Sequence, residues 1–342
     1  MCPKDMHLPL SALSSSLRIG NVEIRNRAAL APMSGVTDLP FRMLAWRFGA
    51  GFVVTEMVAS RELVCNAAES WARLRNSGIK PHIVQLAGRE AQWMAEAARI
   101  VEANGADIID INMGCPAKKV TGGYSGSALM RDPDHALSLI EATVKTVSVP
   151  VTLKMRLGWD ENSINAPLIA RRAEAAGVQA ITIHGRTRMQ FYNGKANWDA
   201  IRAVRDVISI PLIANGDVDT VCDAVEILRR SGADAVMVGR SSQGRPWHAG
   251  VLAGVAADPD AMGVARIFAE HYAMMLEFYG TEIGLRHARK HVGWYLDRFA
   301  PDLPATEKAA ILTSTDAALV SDQVAAAIAR SRIETLSEEI AA

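Results

Sequence analysis

One thiol in this chain stands where chemistry could be done. Asp107 to Met130 reads DIIDINMGCPAKKVTGGYSGSALM. Its first half has the composition of a buried strand and stops at Met113-Gly114-Cys115-Pro116, where Gly and Pro fix the backbone. As a nucleophile, Cys115 would want a base or cations beside it to form thiolate. As a general acid it need only stay protonated at neutral pH, which an ordinary thiol largely does. Cys65 and Cys222 read instead as small buried hydrophobes, the usual use of cysteine.

Other reactive types recur at the ends of apolar runs: Pro32-Met33-Ser34, Gln85, Asn112, Lys154 with Arg156, His184-Gly185-Arg186, Asn215-Gly216-Asp217 and Gly239-Arg240. Lys154 lies in an apolar strand and admits three readings. It could form a buried salt bridge, face negative charge developing on a reduced ring, or form a Schiff base. His184 has no second His or carboxylate at ligand spacing, so a hydrogen bond to a bound ring suits it better than metal. Gly216 and Gly239 allow backbone N–H groups to approach an anion, and Arg240 adds charge. Together they suit phosphate.

These residues need a frame that gathers strand ends. Eight short apolar runs supply one: Ala28–Met33, Gly51–Thr55, His82–Ala87, Asp107–Ile111, Val149–Met155, Ala180–His184, Pro211–Asn215 and Asp234–Gly239. Each is nearly continuously apolar, as strands buried on both faces of a parallel sheet are. Helical patterns separate them, and "EANGADIID", "EAAGVQAIT" and "RRSGADAVM" repeat the order helix, glycine, strand. The rhythm predicts an α/β fold, a TIM (β/α)8 barrel, in which function gathers at the C-terminal strand ends. An open doubly wound sheet is the rival, but no GxGxxG follows the first strand. LRIGNVEIRN predicts a hairpin under the barrel with Gly20-Asn21 at its turn.

The bulk properties set limits. The 342 residues carry equal numbers of Lys+Arg and Asp+Glu, so nucleic-acid binding would need a local basic surface. Four cysteines without CxxC pairs predict free thiols in a reducing compartment. No run approaches the ~18 apolar residues of a membrane span, and the first residues make a poor signal peptide. The expectation is a cytoplasmic protein with no metal and no membrane contact. Residues 1–16 read as a flexible leader and 17–256 as the barrel. Residues 257–342 read as a smaller all-helical domain, because strand runs cease after about Trp247.

The motifs APMSGVTDLPFR, QLAG, DINMGCPAKKV, GSALM, VTLKMRLGW, TIHGRTR, ANGD and MVGR together resemble the flavin-dependent tRNA-dihydrouridine synthases, most closely the bacterial B-type, NifR3-like branch. The match runs from about Leu17 through the barrel and more weakly into GLRHARKHVGWYL. The resemblance implies that NADPH reduces FMN, that hydride passes to C6 of a tRNA uridine, and that Cys115 protonates C5. It implies that Pro32, Met33 and Ser34 line the flavin, with Ser34 where Ala is common. Gln85 and Lys154 would bond its polar edge with His184 near, and Asn215, Gly216, Asp217, Gly239 and Arg240 would hold its ribityl phosphate. Asn112 joins the substrate side.

A target base inside folded RNA must be flipped out. Lys118, Lys119, Arg186, Arg188 and Lys195 lie on loops at the expected mouth, where they could meet phosphates. Arg286, Arg289 and Lys290 share a helix face, flanked by His287 and His291. Trp294 and Tyr295 could pack inside or stack on RNA. Against this, residues 251–342 hold eight Lys+Arg and thirteen Asp+Glu. Such a large partner favours a monomer. Two rivals remain: a small-molecule pyrimidine reductase, which needs no basic helical tail, and a non-catalytic RNA binder, which needs neither Cys115 nor Lys154.

Overall fold

The computed structural model describes residues 11–341. Strands β1 (Leu17–Ile19) and β2 (Val22–Ile24) form the predicted antiparallel hairpin, turning at Gly20 with φ +57°. Eight further strands make one sheet: β3 (Ala28–Leu30), β4 (Val58–Ala59), β5 (Ile83–Ala87), β6 (Ile108–Met113), β7 (Val151–Arg156), β8 (Ala180–His184), β9 (Leu212–Asn215) and β10 (Ala235–Val238). Their order is β3-β10-β9-β8-β7-β6-β5-β4, and every neighbouring pair is parallel.

The gap between β3 and β5 is closed by the expected second strand. Gly51–Thr55 is not a continuous strand but touches its neighbours through the single bridges Leu30–Val53 and Val54–Ile83. Thr55 N donates to Ile83 O at 3.0 Å and Leu30 N to Phe52 O at 3.0 Å, so the ring is complete. Only the short β4 follows it, pairing with β5 at Leu86 and Ala87. The remaining strands fall within two residues of their predicted limits, except β3, which ends at Leu30, three residues before the predicted Met33.

The local signals in the connections act as anticipated. Asp132 caps the Pro133–Val144 helix by accepting from His135 N at 3.0 Å. Thr220 and Asp223 form a capping box on Val221–Ser231, which ends at left-handed Gly232. The main core lies between helices and strands, while Ile19 and Ile24 of the hairpin pack with Ala29, Phe52, Ile108 and Ala180 inside the N-terminal end of the barrel. The hairpin therefore forms the floor.

After β10, no strand occurs among the described residues. Helices Ala261–Tyr279, Thr281–Phe299, Ala305–Thr313 and Ala317–Ala341 follow. They enclose a second apolar core of Trp247, Phe268, Tyr272, Val292, Tyr295 and their neighbours. At the other end, Ser11–Ser14 is one helical turn and Leu13 is buried in the main core, so this part of the expected leader is packed. Residues 1–10 lie outside the described residues. No described helix is long and apolar enough to cross a membrane. Two cysteine expectations fail: Cys65 is exposed, and Cys222 is half-buried and disulfide-bonded rather than free.

Candidate active site

Register places the polar residues in stacked layers. Gln85, Asp110 and Thr152 are lateral neighbours, as are Asn112, Lys154 and Thr182, then Arg156, His184 and Asn215. Alternation along each strand puts Asp110 with Asn112, and Thr152 with Lys154 and Arg156, on one face. The interior is polar toward the C-terminal strand ends and apolar at the floor.

Lys154 is buried, and burial pushes its ammonium down to about 8. Asp110 pulls in the opposite direction, and Arg156 lowers it further. Its ammonium donates to Asn215 Oδ1 at 3.2 Å, and Asn215 Nδ2 in turn donates to Met237 O at 2.7 Å. An ammonium has three N–H groups, so Lys154 keeps donors for a guest. Burial, then the cations Arg156, Lys154, Arg186 and Arg240, hold His184 well below its usual range, so its imidazole is neutral at pH 7. Among the described residues, no group of three or more His, Cys, Asp or Glu side chains could hold a metal.

Cys115 is half-buried on the loop after β6. Burial raises its thiol against the opposing Ala117 N–H and the cations Arg156 and Lys154, so it remains protonated at neutral pH. Three anchors hold its backbone. Asn112 Oδ1 accepts from Gly114 N at 3.2 Å and Cys115 N at 3.0 Å. Ser127 N and Oγ donate to Cys115 O at 3.1 and 2.9 Å. Arg156 Nε donates to Gly114 O at 2.9 Å. Gly126 is required here: its φ is +61°, and a Cβ would meet Cys115 O at 2.8 Å.

Among the residues expected to surround a phosphate, Gly216 has φ +124° and a Cβ there would run into His184 and Ala196. Gly239 backs onto Met33, whose sulfur lies 3.5 Å from a would-be Cβ. Pro32 and Met33 are half-buried and Ser34 is exposed. Arg240 is exposed, 4.8 Å above the Tyr192 ring. Asp217 is used differently from expectation. Its carboxylate takes Arg186 at 2.9 and 2.6 Å, Ala196 N at 2.7 Å and Arg240 at 3.4 Å. Burial would raise it, but these partners win and hold it below the ordinary carboxylate range. It orients Arg240 and offers no donor to an anion.

The basic residues separate into two groups. Lys118, Lys119 and Lys195 are exposed around the mouth. Arg186 is not: it is 1% exposed, and it also donates to Asn193 O and Gly194 O, so it ties down its own loop rather than meeting RNA. Arg188 is half-buried over the Trp159 ring at 4.7 Å. On the Thr281–Phe299 helix, Arg286 pairs with Glu282 and Arg289 is exposed. Lys290 reaches into the mouth, its ammonium 2.8 Å from where a Cβ on Gly35 would sit. His287 stacks flat on Tyr279 at 4.4 Å. His291 and Tyr295 pack inside, and Trp294 is half-buried with its ring edge-on to His291 at 5.0 Å.

Asp110, Thr152 and Glu56 are not among the candidates drawn from the sequence, and Arg156 is there by position alone. Arg156 is 1% exposed and donates to Gly114, Thr187 and Phe191 carbonyls, joining the loops after β6 and β8. Glu56 accepts from Gly35 N. The available signal was alternation: Asp110 and Asn112, and Thr152, Lys154 and Arg156, occupy every second place of apolar strands.

A barrel with a protonated thiol beside a buried cation at its mouth defines an enzyme class, and comparison with known proteins agrees. Residues 29–330 match the Dihydrouridine synthase (Dus) family, and the chain belongs to it. A probable tRNA-dihydrouridine synthase of Rhizobium leguminosarum bv. phaseoli is 76% identical over 86% of this chain and 93% of its own length. Proteins named tRNA-dihydrouridine synthase B from Pseudomonas syringae pv. tomato and Pseudomonas aeruginosa are 46% and 47% identical, each over 82% of this chain and 86% and 87% of theirs, in accord with the B-type branch. Among solved structures, histamine dehydrogenase from Rhizobium sp. 4-9 covers 78% of this chain and 51% of its own with a TM-score of 0.54 at 14% identity. TcOYE with pHBA covers 69% and 90% with a TM-score of 0.52 at 15% identity. These two share the barrel fold.

Proposed function

We propose that the chain reduces the C5=C6 bond of a uridine in tRNA to 5,6-dihydrouridine, with FMN as resident cofactor and NADPH as reductant. The observation that carries the reading is the Lys154–Cys115 arrangement: a buried cation with unmet donors beside a thiol kept protonated by burial. The residues fit a flavin mononucleotide. Lys154 can donate to an electron-rich ring edge, Met33 offers an apolar wall, and Gly216, Gly239 and Arg240 leave backbone and charge for a phosphate.

When bound, FMN reduced by NADPH would supply the hydride that uracil C6 receives. Cys115 supplies the proton to C5, and together the two additions saturate the bond. Its raised thiol suits an acid, not a thiolate nucleophile. The Lys154 ammonium stabilises negative charge at the ring edge. Neutral His184 can donate a hydrogen bond without adding charge. Asn112 and Gln85 bond each other inside the barrel, and Arg156 joins the loops after β6 and β8.

We assign residues 17–256 to cofactor and catalysis and 257–342 to tRNA binding. Lys118, Lys119, Lys195, Arg289 and Lys290 would provide the phosphate contacts. The enzyme would act as a monomer in the cytoplasm. The Lys290–Gly35 contact favours the tRNA reading over a small-molecule reductase, since it brings the basic helix to the rim of the mouth. The test is anaerobic: reduce the purified protein with NADPH, then add unmodified tRNA, free uridine or orotate, and follow flavin absorbance. Rapid reoxidation by tRNA alone is expected. Reoxidation by a free pyrimidine and none by tRNA would move the chain to the small-molecule reading.

A further inference from the structure

A chain of side-chain amides runs from the middle of the barrel to the backbone of Cys115. Thr152 Oγ1 donates to Asp110 Oδ1 at 2.7 Å, and Gln85 Nε2 donates to Asp110 Oδ2 at 2.7 Å. Asn112 Nδ2 donates to Gln85 Oε1 at 2.7 Å. Asn112 Oδ1 accepts from the N–H groups of Gly114 and Cys115. Every side chain in the chain is buried, with Gln85 at 1% and Asp110 at 4% exposure.

The direction of this chain is dictated from its loop end, and the chain terminates on Asp110. Burial raises the Asp110 carboxyl, and whether or not it holds a proton its Oδ2 accepts the Gln85 NH2, which leaves the Gln85 oxygen for Asn112. Backbone N–H groups only donate, so Asn112 must turn its oxygen toward Gly114 and Cys115 and its NH2 toward Gln85. The Gln85–Asn112 bond carries that requirement inward to Asp110. Reversing any amide would set donor against donor at a buried site, where an unmet polar group is costly.

We infer that Asp110 and Gln85 are positioning residues: Asp110 is the terminal acceptor that anchors an amide relay through Gln85 and Asn112, and the relay fixes the backbone bearing Cys115. Asp110 touches neither thiol nor mouth and acts through the other two. The inference deepens the proposed function by stating how its acid is held, and it rests on that reading only for the effect on turnover.

Two substitutions separate the relay from a plain charge effect, since Asp110 also faces Lys154. Asp110→Ala removes the terminal acceptor. Asp110→Asn keeps one, because its Oδ1 can accept from Gln85 while its Nδ2 donates to Thr152 Oγ1. The readouts are turnover on unmodified tRNA and the rate of Cys115 alkylation by iodoacetamide in the holoenzyme, located by peptide mass spectrometry to distinguish it from Cys65. We expect D110A to lower turnover at least tenfold and to speed Cys115 alkylation at least fivefold, with D110N within threefold of wild type on both.

D110A behaving as wild type would overturn the relay. So would D110N as impaired as D110A, which would assign Asp110 the role of counter-charge to Lys154. If D110A does not fold, amide hydrogen exchange of wild-type protein decides. Protected Gly114 and Cys115 amides support the relay, and exchange at open-loop rates overturns it. If alkylation responds as stated while Cys115→Ala retains turnover, the relay stands and the catalytic role of the thiol falls.

Discussion

Arg186 grips Asp217 with two near-parallel bonds, 2.9 and 2.6 Å long, and its remaining N–H groups hold the carbonyls of Asn193 and Gly194. A buried guanidinium used in this way supports a loop. Removing Arg186 leaves the exposed Asp217 with Arg240 and the Ala196 N–H but frees the Asn193 and Gly194 carbonyls, so the loss falls on the loop. Arg186→Ala should therefore lower the melting temperature and weaken flavin retention through Arg240. The salt dependence of tRNA binding should keep its slope. A flattened slope would return Arg186 to the RNA interface.

Lys118 and Lys119 should behave in the opposite way. Both are exposed, carry no ion pair among the described residues and border the mouth. Deleting one cation that neutralises a phosphate should reduce the slope of log binding constant against log salt by roughly 0.7–0.9. Alanine at either position should do this with melting unchanged, and filter binding across a salt series measures it.

Cys115→Ala should retain flavin and tRNA binding and lose turnover by about 10²–10⁴-fold, the usual worth of a positioned proton donor. Single-turnover reoxidation of reduced enzyme by tRNA is the measurement, and an unchanged rate would remove the thiol from the reaction.

Lys154 should govern the stability of the flavin-free protein on the alkaline side. Its folded value near 8 lies below the ordinary 10.5, so between these two pH values the unfolded chain binds more protons and stability rises with pH. Below pH 8 the buried charge costs about 3 kcal/mol by the same shift. Lys154→Met should raise the melting temperature at pH 7, remove that pH dependence and abolish turnover. A fall in melting temperature would show that Asp110 needs the cation more than burial penalises it.

Asp38 titrates in the other direction. Burial first, with Glu56 adding, lifts it to about 6 despite the Phe41 N–H and Tyr279 bonds. The folded protein then holds a proton that the unfolded chain releases between about pH 4 and 6, and stability contributed by protonated Asp38 is lost as pH rises through that window. Asp38→Asn preserves an acceptor for the Phe41 N–H and should flatten this part of the stability profile. Urea unfolding at pH 4, 5, 6 and 7 checks it.

The barrel was legible because the parallel strands are short apolar runs and several helices end close to a glycine, as at Gly105, Gly177 and Gly232. The second strand was the exception. Gly51–Thr55 has the right composition but makes single bridges on either side, and composition does not report hydrogen bonding. The site residues were legible as strand ends. What they touch was not: Arg186 and Lys118 look alike in sequence, and only tertiary placement buries one and exposes the other. Asp110 was passed over because its partners Gln85 and Thr152 lie 25 and 42 residues away. Tyr295 and His291 belong to the second core, a fact that depends on which face of their helix meets Phe268 and His271.

The hairpin of β1 and β2 has a bearing on kinetic order. With Ile19 and Ile24 packed into the N-terminal end of the barrel, access to a flavin among the described residues lies at the opposite mouth, where Lys290 comes up to Gly35. In the proposed reaction, a nicotinamide and a nucleic acid would have to visit the same ring through that mouth. Two visitors of such bulk must take turns, the first leaving before the second arrives. Initial-rate plots with both varied should accordingly be families of parallel lines, each visitor inhibiting the other at high concentration.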